Sequence, residues 1–286
     1  MNPGRAPAFD GRGAPSGEDA AAQAALVAAA QGGDAEALEA LVASVRDRVY
    51  RLALRMVARP ADAEDATQEI LIRVVTRLGS FRGEAAFTTW VHRVAVNHLL
   101  DRRRSCVERM EMTFDDYAED LRAGLSDAAP SDPDAELLAA EVRLSCTLAL
   151  LTCLDRPHRV AYVLGEILEM GSDEAAWVCE VPPATYRKRL SRARSRVRAF
   201  LGEHCGVVAP DRADCRCSAR VGTAVTLGRI DPDRLELARH TTGELERLAD
   251  AVGLMRGHPA YPAPRAVSER ISAVIRSGTH PALTDD

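Results

Sequence analysis

Residues 80–104 have the sequence SFRGEAAFTTWVHRVAVNHLLDRRR, in which an aromatic-bearing loop leads directly into a helix that ends in three arginines. The aromatic residues Phe81, Phe87 and Trp90 lie among small and polar residues rather than among aliphatic ones. Aromatic faces beside guanidinium groups suit a protein that holds unstacked bases while contacting their backbone. We therefore predict a nucleic-acid-binding segment; the alternative is a solvated helix with a buried tryptophan.

Two stripes recur at helical spacing within residues 90–104. One is apolar and predicts the packed side of the helix: Val91, Val94, Ala95 and Leu99. The other is polar and offers amide, carboxylate and guanidinium groups to a nucleic acid: Arg93, Asn97, Asp101 and Arg104.

The composition predicts an all-α chain. Hydrophobic residues make up 47% of the 286 residues but aromatic ones only 4%, and Ala and Leu are strong helix formers. No apolar run reaches the roughly 20 residues that span a membrane, so we expect no membrane insertion. Residues 1–19 have no apolar signal region and predict a disordered tail, which makes the cytoplasm the expected location.

Residues 20–104 predict a helical domain, with one helix over residues 20–31, a second that is capped by Asp34 and runs towards Met56, and a third that begins at Asp62. In the third helix Asp62, Asp65, Glu69 and Arg73 form one charged ridge. An ordinary solvated face would have the same pattern. Residues 105–136 are strongly acidic and contain prolines, which predicts a flexible linker.

Residues 137–201 predict a second helical domain that ends in a helix-turn-helix. Ser172 is the expected cap of the first helix, and Pro183 is the expected first residue of the second. The second helix has seven positive charges and no negative one, which favours an anionic partner over a solvated basic face. Its predicted inward stripe is Tyr186, Leu190, Ala193 and Val197. Its candidate DNA-contacting residues are Ala184, Thr185, Arg187, Lys188, Ser191 and Arg192.

Residues 202–286 predict a small, mostly helical extension, with helices over residues 231–254 and 267–275. His204, Cys205, Cys215 and Cys217 could form a tetrahedral zinc site, although their spacing is irregular and His240 could replace His204. Structural thiols or a redox-responsive pair explain the same cysteines. No cofactor is required by the rest of the sequence.

The motifs SFRG, F-x-T-W and R-V-A-V-N resemble the promoter-melting region of extracytoplasmic-function (ECF) sigma factors, bacterial subunits of RNA polymerase. The sequences D-A-E-D-x-x-Q-E and R-K-R-L-S-R-A-R resemble their polymerase-binding helix and minus-thirty-five recognition helix. The resemblance covers about two-thirds of the chain and implies a sigma region 2-like bundle over 20–104 and a region 4-like helix-turn-helix over 137–201.

The resemblance also implies roles for individual residues. Contacts with core polymerase are expected from Asp62, Asp65, Gln68, Glu69 and Arg73. Contacts with the minus-ten element are expected from Phe81, Arg82, Phe87, Thr89, Trp90, Arg93, Asn97, Asp101 and Arg104, where the loop captures a flipped base.

We accordingly expect a sigma factor, not an enzyme, that binds core RNA polymerase and both duplex and single-stranded promoter DNA, with an anti-sigma factor as a further candidate partner. No phosphate-binding glycine loop or nucleophile motif indicates catalysis. An alternative is a helix-turn-helix regulator that acts without being a polymerase subunit, which would leave the aromatic loop unexplained. A third alternative is a metal- or redox-sensing interaction module, which would be based on the extension alone.

Overall fold

The computed structural model describes residues 17–102, 112–125, 135–213, 215–240 and 251–277, with the side chains of residues 17–20 excepted. Throughout these ranges the regular structure is helical, so the all-α prediction is confirmed. None of these helices is long and apolar enough to cross a membrane. The α-helices are α1 (Gly17–Gln31), α2 (Ala35–Val57), α3 (Pro60–Arg77), α4 (Phe87–Asp101), α5 (Phe114–Ala123), α6 (Ala135–Thr152), α7 (Arg156–Tyr162), α8 (Ser172–Val178), α9 (Pro183–His204), α10 (Cys217–Thr226), α11 (Ala251–Arg256) and α12 (Arg265–Ser277).

The ends of the first three helices follow from local sequence. Gly33 has a φ of 87°, and the carboxylate of Asp34 accepts the amide of Glu36 at 2.9 Å, which caps α2 as predicted. Ala58 ends α2 with a left-handed φ of 61°. Pro60 then begins α3, because its missing N–H needs no partner in the first turn.

The helix-turn-helix consists of α8 and α9. Ser172 is the first residue of α8 rather than its cap, since Gly171 occupies the cap position without a side-chain hydrogen bond. Glu180 turns the chain with a φ of 53°, and Pro183 begins α9 as predicted. The predicted inward stripe of α9 is buried: Tyr186, Leu190, Ala193 and Val197.

A π-helical turn (Val163–Ile167) follows α7 and lies against α9. The hydroxyl of Tyr186 donates to the carbonyl of Ala161 at 3.1 Å. A Cβ at Gly165 would come within 2.7 Å of both Leu190 and the Tyr186 hydroxyl. The absence of a side chain at Gly165 therefore allows α9 to approach this closely.

The acidic segment predicted as a flexible linker contains a packed helix, α5. Thr113 and Asp116 form a capping box at its start. Tyr117, Ala118 and Leu121 share one face and are buried, and the Tyr117 ring stacks on Phe200 of α9 at 5.6 Å. The apolar face outweighs the acidic composition here; residues 103–111 and 126–134 lie outside the described residues.

Two arginines of α7, in the segment predicted as the second domain, bond to helices of the segment predicted as the first. Arg159, only 2% exposed, donates to the carbonyl of Met56 at the end of α2, to that of Thr152 at the end of α6 and to that of Leu154 just beyond it. Arg156 donates to the carbonyl of Leu100 in the last turn of α4 at 2.9 Å. These bonds satisfy carbonyls that a helix end leaves without partners, and one hydrophobic core extends through both domains.

The extension lies along both domains. Its α10 packs on α6, α11 packs on α9, and α12 packs on α2 and α3. The helix predicted over 231–254 differs from the structure, which has turns from residue 232, a 3-10 turn at Ala238–His240 and a helix from Ala251; residues 241–250 are not described. The buried carboxylate of Glu141 accepts the amides of Leu237 and Ala238 instead.

We predict that Arg159→Ala lowers the free energy of unfolding by about 3 kcal/mol, because it leaves three backbone carbonyls, those of Met56, Thr152 and Leu154, without this donor. Urea denaturation followed by circular dichroism measures this change. Arg122→Ala, at an exposed position of α5, is the matched control and should change stability by less than about 0.5 kcal/mol. Equal stability of the two variants would contradict the stabilising role of the Arg159 hydrogen bonds.

We also predict that His92 makes the protein less stable in mild acid. Burial, reinforced by Arg48 and Arg51, lowers the pKa of His92 to about 4. The unfolded chain, with a histidine pKa of about 6.5, then binds more protons as the pH falls, so stability declines below pH 6.5. His92 should account for a loss of about 2 kcal/mol between pH 7.5 and 5. Denaturation at both pH values should show a smaller loss for His92→Gln than for the wild type.

Candidate nucleic-acid interface

The outward face of α9 forms a shallow basic groove. Five of the six residues predicted to contact DNA line it together: Ala184, Arg187, Lys188, Ser191 and Arg192. The sixth, Thr185, is half-buried near the start of the helix. The groove is exposed because the opposite, apolar face of α9 is packed inward, so helical periodicity alone brings the predicted residues together.

The basic side chains of α9 differ in their surroundings. Arg194 donates to the buried carboxylate of Glu166 in the π-helical turn at 2.7 Å, which gives it a structural contact. Arg187 is 58% exposed and lies 4.0 Å from the exposed carboxylate of Asp173. A pair this exposed contributes little stability, so Arg187 can exchange its partner for a phosphate.

The aromatic residues of the loop form a three-ring cluster. Phe81 lies 5.4 Å from Trp90 and 5.7 Å from Phe87, and the rings of Phe87 and Trp90 stack at 5.9 Å. Phe87 begins α4 three residues earlier than predicted and is 3% exposed, so it belongs to the core rather than to an open loop. Phe81 and Trp90 remain half-buried, and Gln31 of α1 donates to the carbonyl of Phe81 at 3.0 Å.

The predicted minus-ten face of α4 contacts α8 of the helix-turn-helix. Thr89 donates to the carboxylate of Glu174 at 2.5 Å. Arg93 donates to the carboxylate of Glu180 at 2.7 Å and covers the ring of Trp177 at 4.4 Å. Nothing in the sequence indicated these partners, because they lie more than 80 residues away along the chain.

The other predicted minus-ten residues have no common surrounding. Asn97 is half-buried, whereas Arg82 and Asp101 are exposed. Arg104 lies outside the described residues. Within the described part of this face, it is the first turns of α4 that contact α8, through Thr89 and Arg93.

The predicted ridge on α3 is mostly accessible. Asp65, Glu69 and Arg73 are exposed, and Asp62 is half-buried. Glu69 lies 3.1 Å from the buried ring of His98. Gln68 is half-buried and accepts a hydrogen bond at 2.9 Å from Arg270 of α12, a contact between distant segments that the sequence did not indicate.

Four cysteines lie near one another where α6, the end of α9 and the start of α10 meet: Cys146, Cys205, Cys215 and Cys217. Sequence reasoning did not include Cys146, whose sulfur accepts a hydrogen bond from Tyr117 at 3.1 Å. Burial raises the pKa of Cys217 to about 12 and also raises that of Cys146, which keeps both as neutral thiols at neutral pH.

The predicted zinc ligands do not converge on one point. His204 packs on the ring of Phe200 at 4.8 Å, and His240 packs on Tyr261 at 5.8 Å. The described part of the chain contains no group of three or more histidine, cysteine or acidic side chains arranged to hold a metal ion. Zinc binding by the extension stays a prediction.

The chain is similar to known proteins. Residues 41–106 match the family model "Sigma-70 region 2", which covers most of α2, all of α3 and α4, and therefore the ridge, the ring cluster and the polar stripe. A solved structure, "Structure of CnrH in complex with the cytosolic domain of CnrY", is similar with a TM-score of 0.45 and 24% identity, over 63% of this chain and 97% of that one.

Three curated relatives are similar over 57–60% of this chain. The ECF RNA polymerase sigma factor SigE of Mycolicibacterium smegmatis is 36% identical over 168 residues, which span only 61% of its length. The RNA polymerase sigma-H factor of Pseudomonas aeruginosa is 31% identical, and the ECF RNA polymerase sigma-E factor of Escherichia coli is 32% identical, each over 90% of its length. The chain belongs to the ECF family of RNA polymerase sigma factors.

Proposed function

We propose that this chain binds core RNA polymerase and directs promoter recognition, DNA melting and initiation, without a catalytic step of its own. The observation that supports this most is the presence, in one chain, of an exposed basic recognition helix and a separate aromatic-bearing helix within the sigma-family region. A duplex-binding regulator needs the first surface only. We place this activity in the cytoplasm, where the polymerase works.

The α9 groove is proposed to bind duplex DNA at the minus-thirty-five element. Ala184 and Thr185 lie at the N-terminal end of α9, the end that inserts into the major groove in helix-turn-helix proteins. Arg187 and Lys188 are proposed to contact base edges or flanking phosphates. Ser191 and Arg192, one turn further along, are assigned to the backbone.

The ring cluster and α4 are proposed to hold the opened minus-ten strand. Phe87 forms the buried base of the cluster, and the half-buried Phe81 and Trp90 offer ring surface to a flipped base. Stacking on an aromatic ring contributes about 1–3 kcal/mol per base, comparable with the few kcal/mol that flipping costs. The remaining contacts are assigned to Arg82, Thr89, Arg93, Asn97, Asp101 and Arg104.

The ridge of α3 is proposed to bind the polymerase. Asp65, Glu69 and Arg73 are exposed, which leaves their charges available to a partner surface. Asp62 and Gln68 complete the proposed contact. Opposite charges across such an interface accelerate association and set its orientation more than they raise its affinity.

Run-off transcription with purified core polymerase and a genomic promoter library tests the proposal. We expect the wild type to direct initiation, and we expect Trp90→Ala and Arg187→Ala/Lys188→Ala each to reduce it at least tenfold, because each removes one DNA surface. Arg122→Ala is the control. Duplex binding without any initiation in the presence of core polymerase would instead favour the helix-turn-helix regulator.

We further predict that Arg187→Ala/Lys188→Ala lowers the salt dependence of duplex promoter binding. Each phosphate contact adds about 0.9 to the slope of log affinity against log salt, so the slope should fall by about 2. Fluorescence anisotropy of the holoenzyme with a labelled minus-thirty-five duplex measures the slope. An unchanged slope would show that these two side chains do not contact phosphates.

A further inference from the structure

The C-terminal helix α12 lies on the helices that contain the proposed polymerase-binding surface. Val267, Ile271 and Ile275 occur at i, i+4 and i+8, and each is only 3% exposed against the core that includes α2 and α3. The adjacent Ala273 is exposed. One face of α12 is therefore anchored, and the other faces solvent.

Polar contacts extend along the same interface. Arg46 of α2 donates to the hydroxyl of Ser268 at 2.7 Å, and Arg276 of α12 donates to Glu39 of α2 at 3.1 Å. Arg270 donates to the side chain of Gln68 at 2.9 Å. Gln68 is one of the five residues assigned to the polymerase contact, so α12 occupies part of that surface.

The segments that precede α12 tie it to the second domain. Arg256 of α11 pairs with Glu169, beside the π-helical turn, at 2.7 Å. His258 lies 2.6 Å from the hydroxyl of Thr147 in α6. The amide of Ala263 donates to Asp47 of α2 at 3.1 Å, so residues 251–277 connect the second domain to the first.

The same conformation also covers a DNA-binding surface. Thr89 and Arg93, both assigned to the minus-ten contact, are held by Glu174 and Glu180 of the helix-turn-helix. A base or a phosphate that approaches Thr89 or Arg93 must compete with these carboxylates while α4 and α8 remain together. The same conformation thus engages Gln68 of the polymerase surface and Thr89 and Arg93 of the minus-ten surface.

We propose that the C-terminal extension is an internal competitor of the polymerase, and that α12 must leave α2 and α3 before the chain can bind core polymerase fully. This inference depends on the proposed function. Release is feasible because α12 has 13 residues, a length that is marginal for an isolated helix, and only three apolar side chains buried as anchors. Its polar contacts are largely exposed; Arg276, for example, is 73% exposed.

The test compares Ile271→Asp with Ala273→Asp in the full chain. The first substitution buries a charge under α12 and detaches it, whereas the second adds the same charge on the exposed face of the same helix. Affinity for fluorescently labelled core polymerase should rise at least tenfold for Ile271→Asp and stay within twofold of the wild type for Ala273→Asp. Circular dichroism verifies that both variants are folded.

A charge exchange gives a second readout that leaves the core intact. Arg276→Glu should raise polymerase affinity about two- to fivefold, because it repels Glu39, and adding Glu39→Arg should reverse the gain by restoring the pair. This pair of variants decides the question if Ile271→Asp does not fold.

The outcomes separate the two claims. If wild type, Ile271→Asp and Arg276→Glu bind core polymerase equally well, the internal competition is refuted while the proposed function stands. If none of them binds core polymerase, the proposed function fails and the competition fails with it.

Discussion

The structure depends on two arginines of α7 that donate hydrogen bonds to backbone carbonyls at the ends of helices in the first domain. Arg159 reaches the end of α2, and Arg156 reaches the end of α4. A helix end leaves several carbonyls without intrahelical donors, and guanidinium groups complement both their hydrogen bonding and their partial negative charge. Because these bonds join α7 to two helices of the first domain, they set how the helix-turn-helix lies against α4.

Hydrogen bonds between a charged side chain and the backbone at the end of a helical segment also occur elsewhere in the chain. Arg220 of α10 donates to the carbonyls of Asp120 and Leu121 at the end of α5, and Glu141 of α6 accepts amides near the 3-10 turn at Ala238–His240. The chain has only 4% aromatic residues, and its cores consist largely of small aliphatic side chains. Charged side chains that hydrogen-bond to the backbone at helix ends therefore help to specify which segments pack together.

This arrangement has a consequence for function. The surfaces assigned to minus-ten DNA and to polymerase are both in contact with other parts of the chain, whereas the α9 groove is open. An interface covered by its own chain needs differential binding energy from a partner to open it. Under the proposed function, core polymerase would supply this energy by replacing the α12 contact with its own.

The sequence by itself determined the local structure and the residue sets: most helices, the Asp34 cap, the inward stripe of α9 and the groove residues that share its outward face. These depend on spacing within one helix, which periodicity specifies. Tertiary structure alone decided that Phe87 is buried, that the acidic segment packs as α5, that Cys146 joins the extension's cysteines, and that Glu174, Glu180 and Arg270 meet the predicted interfaces. Those contacts join residues that are 59 to 202 positions apart or depend on what covers a helix face, and no local pattern encodes either.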